Sequence, residues 1–137
     1  MTDDGTTRVQ PPESAAGAPF WAGTRERRFT LPWCRACGRP HWFPREVCPH
    51  CLSDDLDWRE ASGRGAVHAV SVMPAGGAGG AARGPYAVAL VDLEEGVRLM
   101  TEVIGCDPET VAVGLPVRLV WQPLGDGRHL HLFEPDR

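Results

Sequence analysis

The chain contains no lysine; all 14 of its Lys/Arg residues are arginine. That absence excludes a Walker A phosphate loop, a Schiff-base lysine for pyridoxal phosphate and an aldolase of the amine type. Asparagine is absent too, and isoleucine occurs once, at Ile104. With the arginine-only set, these gaps read as a base-composition bias and carry no function. No apolar run approaches the ~20 residues that span a bilayer. The start, Met1-Thr2-Asp3-Asp4-Gly5, is too acidic and polar for a signal peptide. A cytoplasmic protein without a membrane segment is expected. The formal net charge is -4 over 137 residues, which argues against a nonspecific nucleic-acid binder, since these carry a basic stripe. The length suits one ordinary domain or two small ones, and two small ones would each be short of apolar area.

What is present divides into stretches of different character. Residues 1–18 are polar and rich in Pro, Gly, Ala and Ser, and a disordered tail is expected there. Residues 19–28 read as a two-turn helix, with Pro19 in its first turn, Phe20, Trp21 and Thr24 on one face and arginines on the other. A helix that short is unstable alone in water and must pack on its own domain or on a partner. Residues 29–60 hold paired cysteines. Residues 61–137 carry five β-type runs: Arg64 to Met73, Tyr86 to Glu94, Gly96 to Ile104, Val117 to Trp121 and Arg128 to Phe133. Glu94-Glu95-Gly96 reads as a tight hairpin turn and Gly125-Asp126-Gly127 as a second connection. Asp107-Pro108-Glu109 offers an N-cap, a first-turn proline and an acidic first turn, so a short helix is expected from there to Gly114. Five strands with a short helix between the third and fourth match an OB-fold, a small Greek-key barrel. Another five-stranded barrel of the SH3-like kind is the alternative. The expected class is therefore mostly β: a short N-terminal helix, a zinc ribbon over 29–60 and an OB barrel over 61–137.

The strongest signal is a pair of C-x-x-C knuckles, Cys34-Arg35-Ala36-Cys37 and Cys48-Pro49-His50-Cys51, ten residues apart. Two residues between cysteines let both thiolates reach one ion while backbone N–H groups point at the sulfurs. Two such knuckles supply a tetrahedron of sulfurs, a closed structural Zn2+ site. A segment this small cannot make a self-sufficient core, and the ion would contribute about 10–16 kcal/mol to folding it. Rubredoxin-like iron uses the same four sulfurs. Catalytic zinc needs an open position, which four thiolates do not leave. His50 lies inside the second knuckle and reads as an exposed side chain rather than a replacement ligand. Cys106 stands apart, beside the start of the Asp107-Pro108 helix. A nucleophile there would need an activating base, no histidine is near in sequence, and a small buried apolar residue is the simpler reading. His129 and His131 share a strand face, but with no third ligand they read as ordinary strand positions.

Seven arginines (Arg25, Arg27, Arg28, Arg35, Arg39, Arg45 and Arg59) concentrate between residues 20 and 60. That makes the front half the better place to meet phosphates, against the plain alternative of a solvated surface. The run from Ala75 to Gly84 is rich in glycine. It lacks G-K-[ST], and a strand follows it rather than a helix, so a loop between barrel strands is expected and not a phosphate loop. Arg83 near its end could touch an anion if the loop orders over a ligand. Four of the five tryptophans, Trp21, Trp33, Trp42 and Trp58, fall in residues 21–58. A zinc ribbon cannot bury four indoles internally, so some must pack on the barrel, the helix or another chain.

The blocks Pro19-Phe20-Trp21-x-Gly23, Cys34-x-x-Cys37-Gly38, Phe43-Pro44-Arg45-x-x-Cys48-Pro49-x-Cys51, Ser62-Gly63-Arg64-Gly65, Pro85-Tyr86-x-Val88-Ala89-Leu90-Val91 and Gly114-Leu115-Pro116-Val117 occur in this order. Together they resemble the bacterial and archaeal zinc-ribbon plus OB-fold family known as domain of unknown function thirty-five, from about residue 19 to 134. Leu52 departs from the pattern, since a small residue is common after the fourth cysteine, and the glycine loop is plain. The resemblance implies an N-terminal helix, a rubredoxin-like ribbon and an OB barrel. It also implies an accessory subunit of thiolase-like enzymes acting on coenzyme A thioesters: thiolases, acyltransferases, or aldolases that shorten steroid side chains. In such assemblies the thiolase-like chain holds the catalytic residues, and a hot-dog-fold hydratase is a further partner. On this reading the chain is no enzyme by itself and shares the CoA thioester with its partner in a hetero-oligomer. It docks through Phe20, Trp21, Trp33, Trp42 and Phe43, and places Gly79, Gly80 and Arg83 near the CoA thioester. The rival from another class is a single-stranded nucleic-acid binder, which needs stacking aromatics and a basic groove on the second and third barrel strands. Tyr86 and Arg98 among Asp92, Glu94, Glu95 and Glu102 make a poor surface for that.

Overall fold

In the computed structural model, which describes residues 10–74 and 84–137, the first element is helix α1 (Ala18–Arg25). Pro19 sits in its first turn, and Phe20, Trp21 and Thr24 form its buried face, as the spacing predicts. The helix ends three residues before the expected Arg28. The Arg28 N–H donates to Gly23 O (2.9 Å) and the Arg27 N–H to Thr24 O (3.0 Å), with Arg27 in the left-handed region at φ 57°. This is a Schellman stop closed by an arginine where glycine is usual, and nothing in residue type signals it.

Strands β1 (Thr30–Cys34) and β2 (Leu56–Glu60) pair antiparallel, with Thr30 opposite Glu60 and Cys34 opposite Leu56. They form the base of the ribbon. The barrel follows as β3 (Arg64–Met73), β4 (Tyr86–Leu93), β5 (Arg98–Val103), β6 (Pro116–Pro123) and β7 (His129–Pro135), closed in the order β3-β4-β5-β7-β6. This is the five-stranded OB barrel. In β4 alternate residues Ala87, Ala89, Val91 and Leu93 are buried, the period of a strand with one face on a core. Between β5 and β6 stands only a single 3-10 turn, Pro108–Thr110. The Asp107 carboxylate does cap it, accepting from the Glu109 N–H (3.0 Å). It does not run on to Gly114 as a helix, because Val111 turns extended and buries its side chain in the core. Gly114 serves the barrel instead, donating its N–H to Val67 O (2.8 Å) from φ 92°.

Two features bear on the site. Gly65 pairs with Leu93 on one side and Val117 on the other, and a Cβ there would lie 2.3 Å from Asp92 O. Only glycine permits that approach. The barrel closes between β5 and β7 through one parallel pair, Val103 with Phe133, and beside that seam the Thr101 hydroxyl donates to His131 O (3.0 Å).

Residues 10–17, expected to belong to a disordered tail, lie against the barrel. The buried Arg128 guanidinium donates to Pro11 O (2.8 Å) and to the Asp126 carboxylate (2.8 Å), and stands 3.8 Å from Glu13. It also stacks over the Trp21 ring at 4.9 Å. The Gln10 side-chain amide donates to Leu124 O as well, and a proline-bearing segment has few N–H groups left to satisfy. Among the described residues no helix is long and apolar enough to cross a membrane.

Candidate metal centre and the aromatic face beside it

The two knuckles have the same backbone. In the first, the Cys34 N–H donates to Arg39 O (3.0 Å) and the Gly38 N–H to Cys34 O (2.8 Å). In the second, the Cys48 N–H donates to Ser53 O and the Leu52 N–H to Cys48 O, both 2.8 Å. Gly38 and Leu52 hold the equivalent left-handed position, at φ 75° and 67°. Leu52 therefore carries a side chain where the turn favours none, and that side chain is 74% exposed. Backbone N–H groups of Cys37 and His50 point at the sulfurs of Cys34 (3.5 Å) and Cys48 (3.3 Å).

The four Sγ atoms lie within 4.8 Å of one another. Cys34–Cys51 and Cys37–Cys48 are separated by 3.6 and 3.7 Å. A tetrahedral ion with Zn–S bonds of 2.3 Å requires about 3.8 Å between sulfurs, so the donor set fits zinc. The thiols are primed unequally for it. Burial opposes ionisation of Cys48, but N–H groups of Cys51 and His50 outweigh it and bring this thiol to about 7. The Ser53 N–H favours the Cys51 thiolate, yet burial and the three neighbouring sulfurs push that thiol to about 11. Of these two, Cys48 is the readier to ionise. Four sulfur ligands close the site, leaving no position for water or substrate. The exposed His50 ring lies 3.3 Å from Pro40 O and is no ligand. Among the described residues these four cysteines are the only group of three or more side chains placed to hold a metal. Cys106 packs half-buried against the core. His129 is engaged with helix α1, its Nδ1 2.8 Å from Thr24 O.

Of the five aromatics expected at a docking surface, four come together. Phe20, Trp21, Trp42 and Phe43 line one apolar pocket of about 350 Å3, with Met100, Leu130 and His131 of the barrel and residues 11–17 as the opposite wall. Phe20 and Trp21 are buried in it, Phe20 to 2% exposure, so they shape a socket rather than project to a partner. Phe43 does project. Trp33 lies elsewhere, its indole donating to Gly38 O (3.1 Å) beneath the Arg59 guanidinium. His131, unremarkable in the sequence, is central: its ring meets Phe20 at 5.1 Å, Trp42 at 6.0 Å and Phe29 at 6.1 Å. Its Nδ1 is sealed without a hydrogen-bond partner, and burial lowers its pKa to about 4, so the ring is neutral. No local pattern could have flagged it, because the cage comes from three separate segments.

Among the described residues, three of the seven front-half arginines form ion pairs. Arg35 bridges Asp55 (2.8 Å) and Asp57 (3.5 Å), Arg59 meets Asp57, and Arg28 meets Glu60. Arg39 and Arg45 differ. They line a cleft of about 530 Å3 on the other side of Trp42, with His41, His50, Arg98 and Glu95. His41 is buried with both ring nitrogens unpartnered, and burial, then His50 and Arg45, lower its pKa. Gly79, Gly80 and Arg83 lie outside the described residues. On the barrel strands the nucleic-acid reading needs, Arg98 is bound to Asp92 (2.6 Å), so its charge is already paired.

Comparison with known proteins places these pieces together. Residues 21–57 match the model of the ChsH2 rubredoxin-like zinc ribbon domain, and residues 58–122 that of the ChsH2 C-terminal OB-fold domain. The chain is 35% identical over 133 residues to a probable enoyl-CoA hydratase alpha subunit of Thermomonospora curvata, covering 93% of this chain and 40% of that protein. It is 33% identical over 90 residues to a DUF35 domain-containing scaffold protein of Methanothermobacter thermautotrophicus, 65% of this chain and 68% of that one. In structure it superposes on a chain of the Ltp2-ChsH2(DUF35) aldolase with a TM-score of 0.83 and 35% identity, over 92% of this chain and 98% of the other. The chain thus spans less than half the length of the hydratase subunit it resembles.

Proposed function

The chain belongs to the family of ChsH2-type zinc-ribbon and OB-fold (DUF35) proteins, and from that premise we propose that it is a non-catalytic accessory subunit of a thiolase-like enzyme acting on CoA thioesters. The observation that carries this reading is the match along nearly the whole length of a chain of the Ltp2-ChsH2(DUF35) aldolase. The residues agree with it. The metal set is closed, so the ion contributes folding rather than a reactive water. Cys106 packs against the core and belongs to no group of three or more His, Cys, Asp or Glu side chains placed to hold a metal among the described residues. In this role Cys34, Cys37, Cys48 and Cys51 hold a structural zinc that fixes the Trp42-Phe43 loop, and Trp42 and Phe43 meet the partner. Phe20 and Trp21 support them from beneath. The partner brings the catalytic residues for a thiolase, retro-aldolase or acyltransferase reaction.

The test is purification of the tagged chain from its native cell extract after nuclease treatment, with mass spectrometry of what copurifies. A thiolase-like chain in stoichiometric amount is expected, with turnover of a CoA thioester that requires both chains. Acyl-CoA turnover by the isolated chain, or copurification of single-stranded nucleic acid in place of protein, would overturn the reading.

A further inference from the structure

The apolar pocket and the basic cleft are two halves of one surface. Trp42 forms a wall of both. On the barrel side the halves are joined by β5, where Arg98 and Met100 are both exposed and Leu99 between them is buried. Two residues along a strand advance about 6.8 Å, so an occupant that fills the pocket passes within one or two residues of the cleft. Five large apolar side chains are exposed among the described residues, and two of them, Phe43 (64%) and Met100 (66%), stand on the rim of this one pocket. A small molecule inside would cover the pocket walls and leave these rim side chains in water. A polypeptide would cover both. The cleft half sets the charge. In a chain of net charge -4, it gathers Arg39, Arg45 and Arg98 beside a single lining carboxylate, Glu95. Glu95 is already accepting from the Ser62 N–H (2.7 Å), and Arg98 is held by Asp92. Arg39 and Arg45 are exposed and make no ion pair with any described carboxylate, so their charge is available to a partner.

We propose that this face takes an extended protein segment of one stated chemistry: a single large apolar anchor side chain seated against Trp42 and Met100, with two or more carboxylates two to five residues away meeting Arg39 and Arg45. The identity of the partner rests on the accessory-subunit reading above; the chemistry of the segment does not. Charge complementarity sets the register, and the anchor supplies the affinity.

The experiment is selection of a displayed library of random 12-residue peptides on the immobilised, zinc-loaded full chain. The enriched peptides are then synthesised and their affinities measured. Variants Arg39→Glu/Arg45→Glu and Phe43→Ala/Met100→Ala alter exposed side chains only, and zinc content and circular dichroism establish that they are folded. The expected consensus holds one Phe, Trp, Leu or Met within five residues of at least two Asp or Glu. Its binding falls tenfold or more in each variant, weakens from 50 to 500 mM NaCl, and survives Arg39→Lys/Arg45→Lys. No consensus, a consensus without acids, or equal binding to folded variants overturns the proposal. If a thiolase-like chain copurifies but no acidic consensus emerges, this face is wrong and the accessory role stands. If the acidic consensus emerges but no such chain copurifies, the face is right and the accessory role falls.

Discussion

His131 is half-buried at the wall of the apolar pocket with its Nδ1 sealed, a site that disfavours a charged ring. In an unfolded chain an imidazole titrates near 6.5, whereas burial among Phe20, Phe29 and Trp42 lowers it here to about 4. As pH falls the unfolded chain takes the proton first. The stability His131 permits is therefore complete above about pH 6.5 and is lost progressively down to about pH 4. His131→Phe keeps a ring in the cage and has no proton to accept. Urea unfolding at pH 7.5 and pH 5 is expected to show a smaller loss for the variant than for the wild type, and equal losses would mean the ring is not held neutral. A second position tests geometry rather than charge. Gly65→Ala forces a methyl against Asp92 O and Val91 and is expected to cost about 1–3 kcal/mol, read as a lowered thermal midpoint. Gly84→Ala, with open space around it, serves as the control and leaves the midpoint unchanged.

At the scale of elements, the ribbon has a two-stranded sheet and little core of its own, so its fold depends on the metal. Dialysis against a strong chelator, or Cys48→Ser, is expected to abolish hydrogen-exchange protection in β1 and β2 first, while β3, β4 and β6 stay protected at a lower melting temperature. Retained protection in β1 and β2 without metal would show that packing alone holds the ribbon. Elements were legible in the sequence where one rule acted alone. The cysteine spacing placed the knuckles, and β-type runs set between turn residues placed β3 to β7, because each of these signals is local. Sequence reading failed where local and distant forces competed. The run after Asp107 has every signal of a helix start, yet the core claimed Val111 and left a single turn. The proline-bearing segment at 10–17 has the composition of a tail, and it is tied down by partners more than a hundred residues away, Arg128 holding Pro11 O and Leu124 O accepting from the Gln10 side chain. Phe20 and Trp21 were expected at a partner surface because aromatics exceed what a ribbon can bury. The barrel seam supplied the missing burial, and Phe43 is the one that faces outward.

At the scale of the whole molecule, helix, ribbon and barrel meet in one set of rings. Phe20 of α1 touches Trp42 of the ribbon at 5.0 Å and His131 of β7 at 5.1 Å, and Phe29 touches Phe133 at 6.4 Å. The zinc-bound protein is therefore expected to unfold in one step. Tryptophan fluorescence, dominated by the helix and ribbon, and far-ultraviolet circular dichroism, dominated by the barrel, should trace coincident denaturant curves. Two separated transitions would show that the pieces share no core. The rule by which four distant segments build a pocket is not written in any of them, so the pocket became visible only when they were assembled.

The seam between β5 and β7 has a mechanical meaning. The barrel is fastened there by one ladder pair and two bonds beside it, Thr101 hydroxyl to His131 O and Ile104 N–H to Phe133 O, and the helix and ribbon loop lie against His131 of β7 like a bracket bolted over a joint. The bracket works in both directions. It braces the barrel, and it gives the ribbon a bearing on it, so the four cysteines and the barrel mouth are expected to keep one separation. A chain built this way would act as a gauge block: whatever gripped one end would be held at a set distance from whatever touched the other.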